Sequence, residues 1–175
     1  GGSFGHYYAD KYGLSLKPSK ASAEGVSKTK ASMLELSTRV LNCLDKHGIK
    51  PYPLPPSSFV ESSIKAKMKL FFSFIDYGLT PITHGDVLFK LGGFYVLSGD
   101  EITSMLSEAL KPTRAIFLSN VDGIYRDLSQ PDSLIEELKS EDLTKIQLKS
   151  IHMDVSGGMM LKIREAMKIA KKGID

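Results

Sequence analysis

The sequence predicts an α/β fold, an open αβα sandwich built on a largely parallel central sheet. Short apolar segments alternate with longer amphipathic ones along the chain, as strands alternate with helices in such folds. Loops rich in glycine, aspartate and serine follow the predicted strands, where α/β proteins bind their ligands. Because 175 residues with 42% hydrophobic content suffice for one core, we expect a single domain over residues 1–175.

Five segments are predicted to be helices, because apolar residues recur at three- and four-residue steps and capping residues flank them. The longest carries a stripe from Val26 through Met33 to Leu44 and ends at Gly48. Ser98 precedes another as a candidate N-cap, with acidic residues in the first turn. The predicted helices are residues 4–12, 21–46, 65–77, 101–110 and 159–172.

The predicted strands are short and lie between these helices. An extended segment is interrupted by prolines, and a hairpin turns at Gly92-Gly93. Charged and less regular sequence fills residues 126–150. The predicted extended segments are residues 49–54, 79–87, the hairpin 88–97 and the apolar strand 115–119.

The composition argues against several classes of protein. The net charge of +3 is small and scattered and does not indicate a nucleic-acid partner. No apolar run approaches membrane-spanning length, so we expect a cytoplasmic protein. Cys43 is the single cysteine, which excludes a disulfide framework within the chain, and its apolar context predicts a buried side chain. The four histidines lack metal-ligand spacing, so we expect no protein metal site.

Loops that combine glycine with acidic or hydroxyl residues recur along the chain. Backbone N–H groups in such loops can contact phosphate oxygens, and carboxylates can hold a metal or orient lysines. Any one of them is equally well explained as a tight turn with a helix cap, but together they indicate a site for a polyphosphate. The loops are residues 1–6, 84–87, 98–100 and 154–162, with 120–125 as a fifth candidate.

Two side chains in these loops are candidates for binding phosphate. His6 closes the glycine-rich start and can donate a hydrogen bond or a positive charge to a phosphate oxygen. Lys162 lies one turn into a helix that follows Gly157-Gly158, although a solvated surface lysine is the simpler alternative. The absence of a Walker A motif and of a Gly-x-Ser-x-Gly elbow excludes a P-loop kinase and a serine hydrolase of that type.

Five motifs, in order along the chain, resemble the amino acid kinase superfamily and, within it, the archaeal type of isopentenyl phosphate kinase family. The histidine at the end of the first motif is the most distinctive, because the acetylglutamate, aspartate and uridylate kinase families lack it there. The motifs are Gly-Gly-Ser-Phe-Gly-His (1–6), Pro-Ile-Thr-His-Gly-Asp-Val (81–87), Leu-Ser-Gly-Asp-Glu (97–101), Ser-Asn-Val-Asp-Gly-Ile-Tyr (119–125) and Asp-Val-Ser-Gly-Gly-Met (154–159).

The resemblance implies a homodimeric enzyme that transfers the γ-phosphoryl group of ATP, with Mg²⁺, to isopentenyl phosphate. Residues 1–100 would form the acceptor-binding half of the domain and residues 101–175 the nucleotide-binding half. Phosphoryl transfer fits such a site, because it needs two anions held in line and their charge neutralised rather than covalent help from the protein.

The resemblance also implies roles for individual residues. Gly1 and Gly2 would present N–H groups to the phosphates, the latter on the nucleotide side. His6 would bond the substrate phosphate, with Gly85 and Asp86 closing over the same group. Asp100 would orient the catalytic lysines, while Asn120, Asp122 and Tyr125 would lie beside the nucleotide and Gly158 and Lys162 on its phosphates.

An isopentenyl group has no hydrogen-bonding atoms, so its pocket should be apolar. Val26, Thr29 and Met33 lie on one predicted helix face, and Val87 and Val96 flank the Gly85-Asp86 turn. An amino-acid acceptor would instead call for a cationic side chain aimed at its carboxylate. Simple core packing is an equally good interpretation of Met33.

The chain departs from the family pattern in two respects. The family's N-terminal strand and glycine loop, with a lysine that bridges both phosphates, and its C-terminal strands have no counterpart in the sequence, so we expect parts at both ends to be missing. Asn120 stands where many relatives have aspartate. Two alternatives therefore stay open: a related kinase with another acceptor, such as a phosphonate or an acylated amino acid, and a non-catalytic nucleotide-binding domain of the same fold.

Overall fold

The computed structural model describes residues 2–119, 121–125, 130–138 and 158–175. Helices alternate with short strands in this part of the chain, as the sequence predicts. The helices are α1 (Gly2–Lys11), α2 (Ala23–Lys46), α3 (Ile64–Asp76), α4 (Gly99–Leu110) and α5 (Gly158–Ala170). The strands are β1 (Pro51–Pro53), β2 (Thr80–Ile82), β3 (Asp86–Lys90) and β4 (Gly93–Leu97).

The antiparallel hairpin of β3 and β4 lies at the centre of the packing. Val87 pairs with Val96 across the hairpin, and because side chains alternate along a strand, both point to the same face. On that face a cluster of Ala9, Leu14 and Val87 joins α1 to the hairpin, with Val96 packed against it. The opposite face of the hairpin carries the main core of the described residues: Leu54, Phe59, Phe71, Leu88, Leu97 and Ile102.

Helices therefore cover both faces of the hairpin, α1 and α2 on one side and α3 and α4 on the other. A second pairing joins β1 and β2 in parallel, with Pro51 opposite Thr80. The helix α5 packs along α4. The predicted α/β sandwich is confirmed, with one parallel pair and one antiparallel hairpin among the described residues.

All five predicted helices are confirmed to within two residues at each end. Their caps follow the predicted chemistry: the Ser98 hydroxyl accepts the Glu101 N–H (3.1 Å) while the Glu101 carboxylate accepts the Ser98 N–H (3.0 Å). This reciprocal capping box satisfies donors that a helix N-terminus would otherwise leave unpaired. The start of α4 is thereby held at one position.

The prediction of a glycine-rich loop at the start of the chain is wrong for residues 2–6, which form the first part of α1. The glycine at position 5 serves close packing rather than a turn. A Cβ on Gly5 would lie 2.6 Å from the Met33 sulfur of α2, so a side chain at position 5 would require the Met33 side chain to move. Gly1 lies outside the described residues.

Two further predictions differ from the structure. Residues 115–119 form no strand in the described part of the chain; instead, the Ala115 N–H donates to the Asp175 carbonyl (2.5 Å). The main chain at Ala115 is thus bonded to Asp175, which follows α5, rather than to a neighbouring strand. Cys43 is exposed rather than buried, because the second half of α2 extends past the core that buries its first half. The predicted loop at residues 154–157 lies outside the described residues.

One face of α3 presents apolar side chains to the surface. Ile64, Met68, Phe72 and Ile75 are exposed, and their spacing of three and four residues places them on one side of the helix. Within the described ranges, none of the helices has both the length and the apolar character needed to span a membrane.

Candidate functional site

A cavity of about 440 Å³ opens where α1, the hairpin and the N-terminal ends of α4 and α5 meet. Its walls come from segments far apart in sequence, so it forms only in the folded chain. The residues that line it are Gly5, His6, Ala9, Thr29, Met33, Gly85, Asp86, Val87, Val96, Leu97, Ser98, Gly99, Asp100, Leu118, Ser119, Gly158, Met159 and Lys162.

One part of the cavity is suited to an anion. The first residues of α4 and of α5, Gly99 and Gly158, both line it. Backbone N–H groups at a helix N-terminus point away from the helix and carry its positive dipole end, which favours phosphate. His6 and Lys162 add side-chain donors to the lining of the cavity.

An ion pair joins α4 to α5 inside this part of the cavity. The Lys162 Nζ lies 2.8 Å from the Asp100 Oδ1, and 5.2 Å from the centre of the Phe117 ring. The two side chains are 27% and 22% exposed respectively, so both remain in reach of solvent and of a ligand. A lysine held in this way presents a localised positive charge whose donors can turn to a phosphate oxygen.

A second lysine–aspartate pair lies behind the wall that β3 contributes. Asp86 lines the cavity, but its side chain is only 5% exposed and its Oδ2 accepts a hydrogen bond from the Lys30 Nζ (2.6 Å). The Asp86 Oδ1 accepts the Val87 N–H (2.8 Å). Lys30 also donates to the Val87 carbonyl (3.1 Å). Both carboxylate oxygens thus have partners inside the protein.

The other part of the cavity is apolar. Met33 and Val87 are buried in its wall, next to Val96 and Ala9. Thr29 is buried there as well, and its hydroxyl donates to the Gly25 carbonyl one turn earlier in α2 (2.7 Å). Since that hydroxyl already donates its proton within its own helix, this part of the wall has no free side-chain hydrogen-bond donor for a ligand.

The turn between β2 and β3 lies directly against the start of α4. A Cβ on Gly85 would lie 3.0 Å from the Gly99 nitrogen and 3.0 Å from the Leu97 carbonyl oxygen. Both are main-chain atoms, so the close contact could not be relieved by moving a side chain. His84, which precedes this turn, makes a hydrogen bond through its Nδ1 to the Gly85 carbonyl (2.9 Å). The turn at Gly85 and the N-terminus of α4 are therefore in close main-chain contact.

Most of the residues that the sequence predicts for the site line this one cavity. These are His6, Thr29, Met33, Gly85, Asp86, Val87, Val96, Asp100, Gly158 and Lys162. Val26 instead packs in the cluster between α1, α2 and the hairpin. Asp122 and Tyr125, joined by a long hydrogen bond of 3.5 Å, and Gly2 are not among the lining residues. Gly1 and Asn120 lie outside the described residues.

Sequence reasoning missed other parts of the wall. Gly5 was included only as part of a loop, and Lys30 resembles the solvated lysines on either side of it in α2. Ser98 and Gly99 belong to a loop that the sequence predicts for phosphate binding, but only Asp100 of that loop is singled out as a site residue, and the structure places all three on the cavity wall. The remaining lining residues that sequence reasoning missed are Ala9, Leu97, Leu118, Ser119 and Met159, apolar or small side chains with no chemical signature of their own.

Comparison with known proteins agrees with the fold and the cavity. The amino acid kinase family matches residues 1–175. An isopentenyl phosphate kinase of Methanothermobacter thermautotrophicus is 30% identical over 189 residues, covering 99% of this chain and 71% of that protein. One of Thermoplasma acidophilum is 33% identical over 172 residues, covering 97% of this chain and 69% of that protein.

A solved structure of an isopentenyl phosphate kinase superposes on the chain with a TM-score of 0.77 at 27% identity, covering 99% of this chain and 70% of that one. An α/β sandwich with a cavity at its helix N-termini is thus the class of protein that the fold and site define, and the chain belongs to the amino acid kinase family. Within that family it is similar to isopentenyl phosphate kinases, which confirms the resemblance that its motifs predict.

Proposed function

We propose that the chain carries the catalytic site of a kinase that transfers the γ-phosphoryl group of ATP to isopentenyl phosphate. The observation that carries this proposal is the division of one cavity into an apolar part and a part with two helix N-termini, His6 and Lys162. An acceptor with a hydrocarbon tail and a phosphate head matches both parts at once. The likeness to isopentenyl phosphate kinases supports the same conclusion.

The acceptor would bind to the part formed by residues 1–100. Its phosphate would lie between His6 and the backbone of Gly85, with Gly1 as a further N–H donor. Its tail would lie against Met33, Thr29 and the Val87–Val96 pair, which line the apolar wall. Because Met33, Val87 and Val96 carry no hydrogen-bonding side-chain group and the Thr29 hydroxyl already donates its proton to the Gly25 carbonyl, a substrate with a polar tail would lose most of its hydrogen bonds to water on entering.

The nucleotide would bind to the part formed by residues 101–175. Gly158 and Lys162 would contact its phosphates, and Asp100 would keep Lys162 in place through the observed ion pair. Gly2, Asn120, Asp122 and Tyr125 are carried over from the family pattern as further nucleotide contacts.

The reaction needs few groups from the protein. An oxygen of the acceptor phosphate attacks the γ-phosphorus of ATP, the bond from that phosphorus to the bridging oxygen breaks, and ADP leaves with the electron pair. The attacking oxygen carries no proton that a base must remove. Lys162 and His6 would neutralise the charge on the transferring group, and the two helix N-termini would hold the phosphates in line.

Three further properties belong to the proposal. Mg²⁺ would accompany ATP, because kinases use the magnesium complex of the nucleotide; over the described residues, no three His, Cys, Asp or Glu side chains are grouped to hold a metal ion. The protein would act as a homodimer, for which the exposed apolar face of α3 offers a surface. It would work in the cytoplasm, where ATP is available.

The proposal is tested by assaying the full-length protein for ATP-dependent formation of isopentenyl diphosphate and repeating the assay with His6→Ala. Losing one charge-assisted hydrogen bond to the acceptor phosphate should lower kcat/KM about 10- to 100-fold. His47→Ala is the matched control, since the His47 ring bonds the Cys43 carbonyl of α2, away from the cavity. Unchanged turnover in His6→Ala would contradict the assigned role.

A panel of acceptors decides between this proposal and its alternatives. We expect isopentenyl phosphate to be phosphorylated with a higher kcat/KM than phosphonates or acylated amino acids. Strong preference for a carboxylate acceptor would favour a sister kinase instead. Binding of ATP without transfer to any acceptor would favour a non-catalytic domain.

A further inference from the structure

We propose that Lys30, which does not itself line the cavity, is a positioning residue for the acceptor phosphate and acts through Asp86. This inference rests on the proposed function, since it assigns a role within the same site. Lys30 lies in the middle of α2, and Asp86 begins β3 on the cavity wall. Their side chains are joined across 56 residues of sequence.

The contact is asymmetric in burial. The Asp86 side chain is 5% exposed, whereas that of Lys30 is 41% exposed. A buried carboxylate is costly unless a cation and hydrogen bonds replace its water. Lys30 supplies the cation at 2.6 Å and the Val87 N–H supplies the second donor at 2.8 Å. Lys30 therefore compensates the buried charge of Asp86, whereas the partly exposed lysine would remain solvated without that partner.

The balance of charge matters because Asp86 stands beside the proposed phosphate site. Without Lys30, a buried negative charge would face an acceptor that is itself an anion, and like charges in a poorly solvated site repel strongly. With Lys30 in place the pair is neutral. The backbone N–H groups of the turn can then bind the phosphate without repulsion from the Asp86 carboxylate.

The same contact fixes the turn in space. Lys30 bonds both the Asp86 carboxylate and the Val87 carbonyl, so one ammonium holds two consecutive residues of β3. Gly85, the residue before them, is packed against the main chain at Gly99. A shift of Asp86 would therefore move Gly85 relative to α4, and with it the distance between the acceptor and nucleotide parts of the cavity.

The test compares Lys30→Met with Lys28→Met in the full-length protein. Lys28 lies on the same helix and pairs with the exposed Glu24, so it matches the loss of one lysine without touching Asp86. We expect Lys30→Met to raise the KM for isopentenyl phosphate about tenfold, with the KM for ATP changed less than about twofold. Lys28→Met should leave both constants as in the wild type.

A second variant separates charge from general stability. Asp86→Asn removes the negative charge and keeps a side-chain oxygen that can accept the Val87 N–H. If Lys30 acts through the charge of Asp86, adding Lys30→Met to Asp86→Asn should raise the acceptor KM less than about threefold further. A full additional tenfold rise would overturn the proposal, and so would equal rises in both KM values for Lys30→Met alone. If Lys30→Met alone fails to fold, the double variant carries the test.

Failure of the proposed function is recognised separately. A wild-type protein that forms no isopentenyl diphosphate would contradict the function, and amide hydrogen exchange at residues 85–87 would still decide the role of Lys30. Faster exchange of the Val87 N–H in Lys30→Met than in Lys28→Met supports the clamp on the turn. Equal exchange in the two variants overturns it.

Discussion

The cavity is bordered by two lysine–aspartate pairs that use the same chemical groups differently. In the pair of Lys30 and Asp86 the acid is almost fully buried and the lysine lies outside the cavity. In the pair of Lys162 and Asp100 both side chains are about one-quarter exposed and both line the cavity. Burial therefore separates a pair that holds the wall from one whose cation can reach a ligand.

The difference follows from where each pair lies in the fold. Asp86 sits at the start of a strand covered by helices on both faces, so its charge must be compensated inside the protein. Asp100 sits in the first turn of α4, where a carboxylate is favoured by the helix dipole and can stay partly solvated. The same pairing of lysine with aspartate thus holds the wall at one position and leaves a partly exposed cation in the cavity at the other.

The largest effect is expected from the exposed pair. Lys162→Met should lower kcat roughly 10²- to 10³-fold, because it removes a charge proposed to act on the transferring phosphoryl group. The melting temperature should stay near that of the wild type, since a partly exposed pair adds little to stability. Kinetics of the full-length protein with ATP and isopentenyl phosphate, together with thermal unfolding, measure both.

Lys171→Met is the matched control for this change, because Lys171 is an exposed lysine just past the end of the same helix. A loss of activity in Lys171→Met as large as in Lys162→Met would show that overall charge, and not the position of Lys162, matters. The proposed difference in role between the exposed Lys162–Asp100 pair and the buried Lys30–Asp86 pair would then be contradicted.

An intermediate effect is expected where the wall meets α4. Gly85→Ala should destabilise the fold by about 1–3 kcal/mol, because the new methyl group would press against main-chain atoms at 3.0 Å. At Gly99 a Cβ would meet only the Gly85 nitrogen at 3.9 Å, an ordinary contact. Gly99→Ala should therefore leave the stability within about 1 kcal/mol of the wild type.

Urea unfolding of both alanine variants measures this difference. The stability difference tests whether the wall beside the buried Lys30–Asp86 pair is rigid, because Gly85 directly precedes Asp86. Equal stability of the two variants would mean that the turn can shift without cost, contrary to a fixed wall.

The smallest effect is expected from a third pair that lies outside the cavity. Lys172 contacts Glu108 at 2.9 Å and holds the pKa of that carboxyl below its ordinary value of 4.5. A carboxyl with a lowered folded pKa stabilises the fold above the unfolded value, and the contribution is lost as the pH falls through the lowered pKa. Glu108→Gln should thus lower Tm slightly at neutral pH and leave it unchanged once the pH is below the lowered pKa.

Thermal unfolding of the wild type and Glu108→Gln across this pH range is the measurement. A difference in Tm that persists at the acidic end would assign the effect to packing rather than to charge. The expected effects of the three lysine–carboxylate pairs would then no longer follow from how buried each pair is.

Much of the fold follows from local sequence. The stripes of α2 and α3, the capping box of Ser98 and Glu101, and the glycines of the hairpin each determine an element through contacts within a few residues. The cavity could be predicted to the same extent: His6, Gly85, Asp100 and Lys162 all carry recognisable chemistry, and all line it.

The remainder depends on contacts that the sequence does not display. Gly5 lies in a helix, and the space of its missing side chain is filled by Met33, 28 residues later in the chain. Lys30 is distinguished from its neighbouring lysines only by the position of Asp86 in the folded chain. Val26 lies on the same side of α2 as Met33 and Thr29, yet the packing of Leu14 and Phe94 keeps it in the core. Each of these outcomes is set by tertiary contact rather than by pattern.

The contact between Gly5 and Met33 has a consequence for sequence variation. The two positions share one small volume between α1 and α2, since the thioether fills the space that a Cβ on residue 5 would need. A larger residue at position 5 requires the Met33 side chain to move, or a smaller residue to replace it. Such exchange of size between the two helices would reshape the apolar wall while leaving His6, the next residue along, on its own turn of the helix.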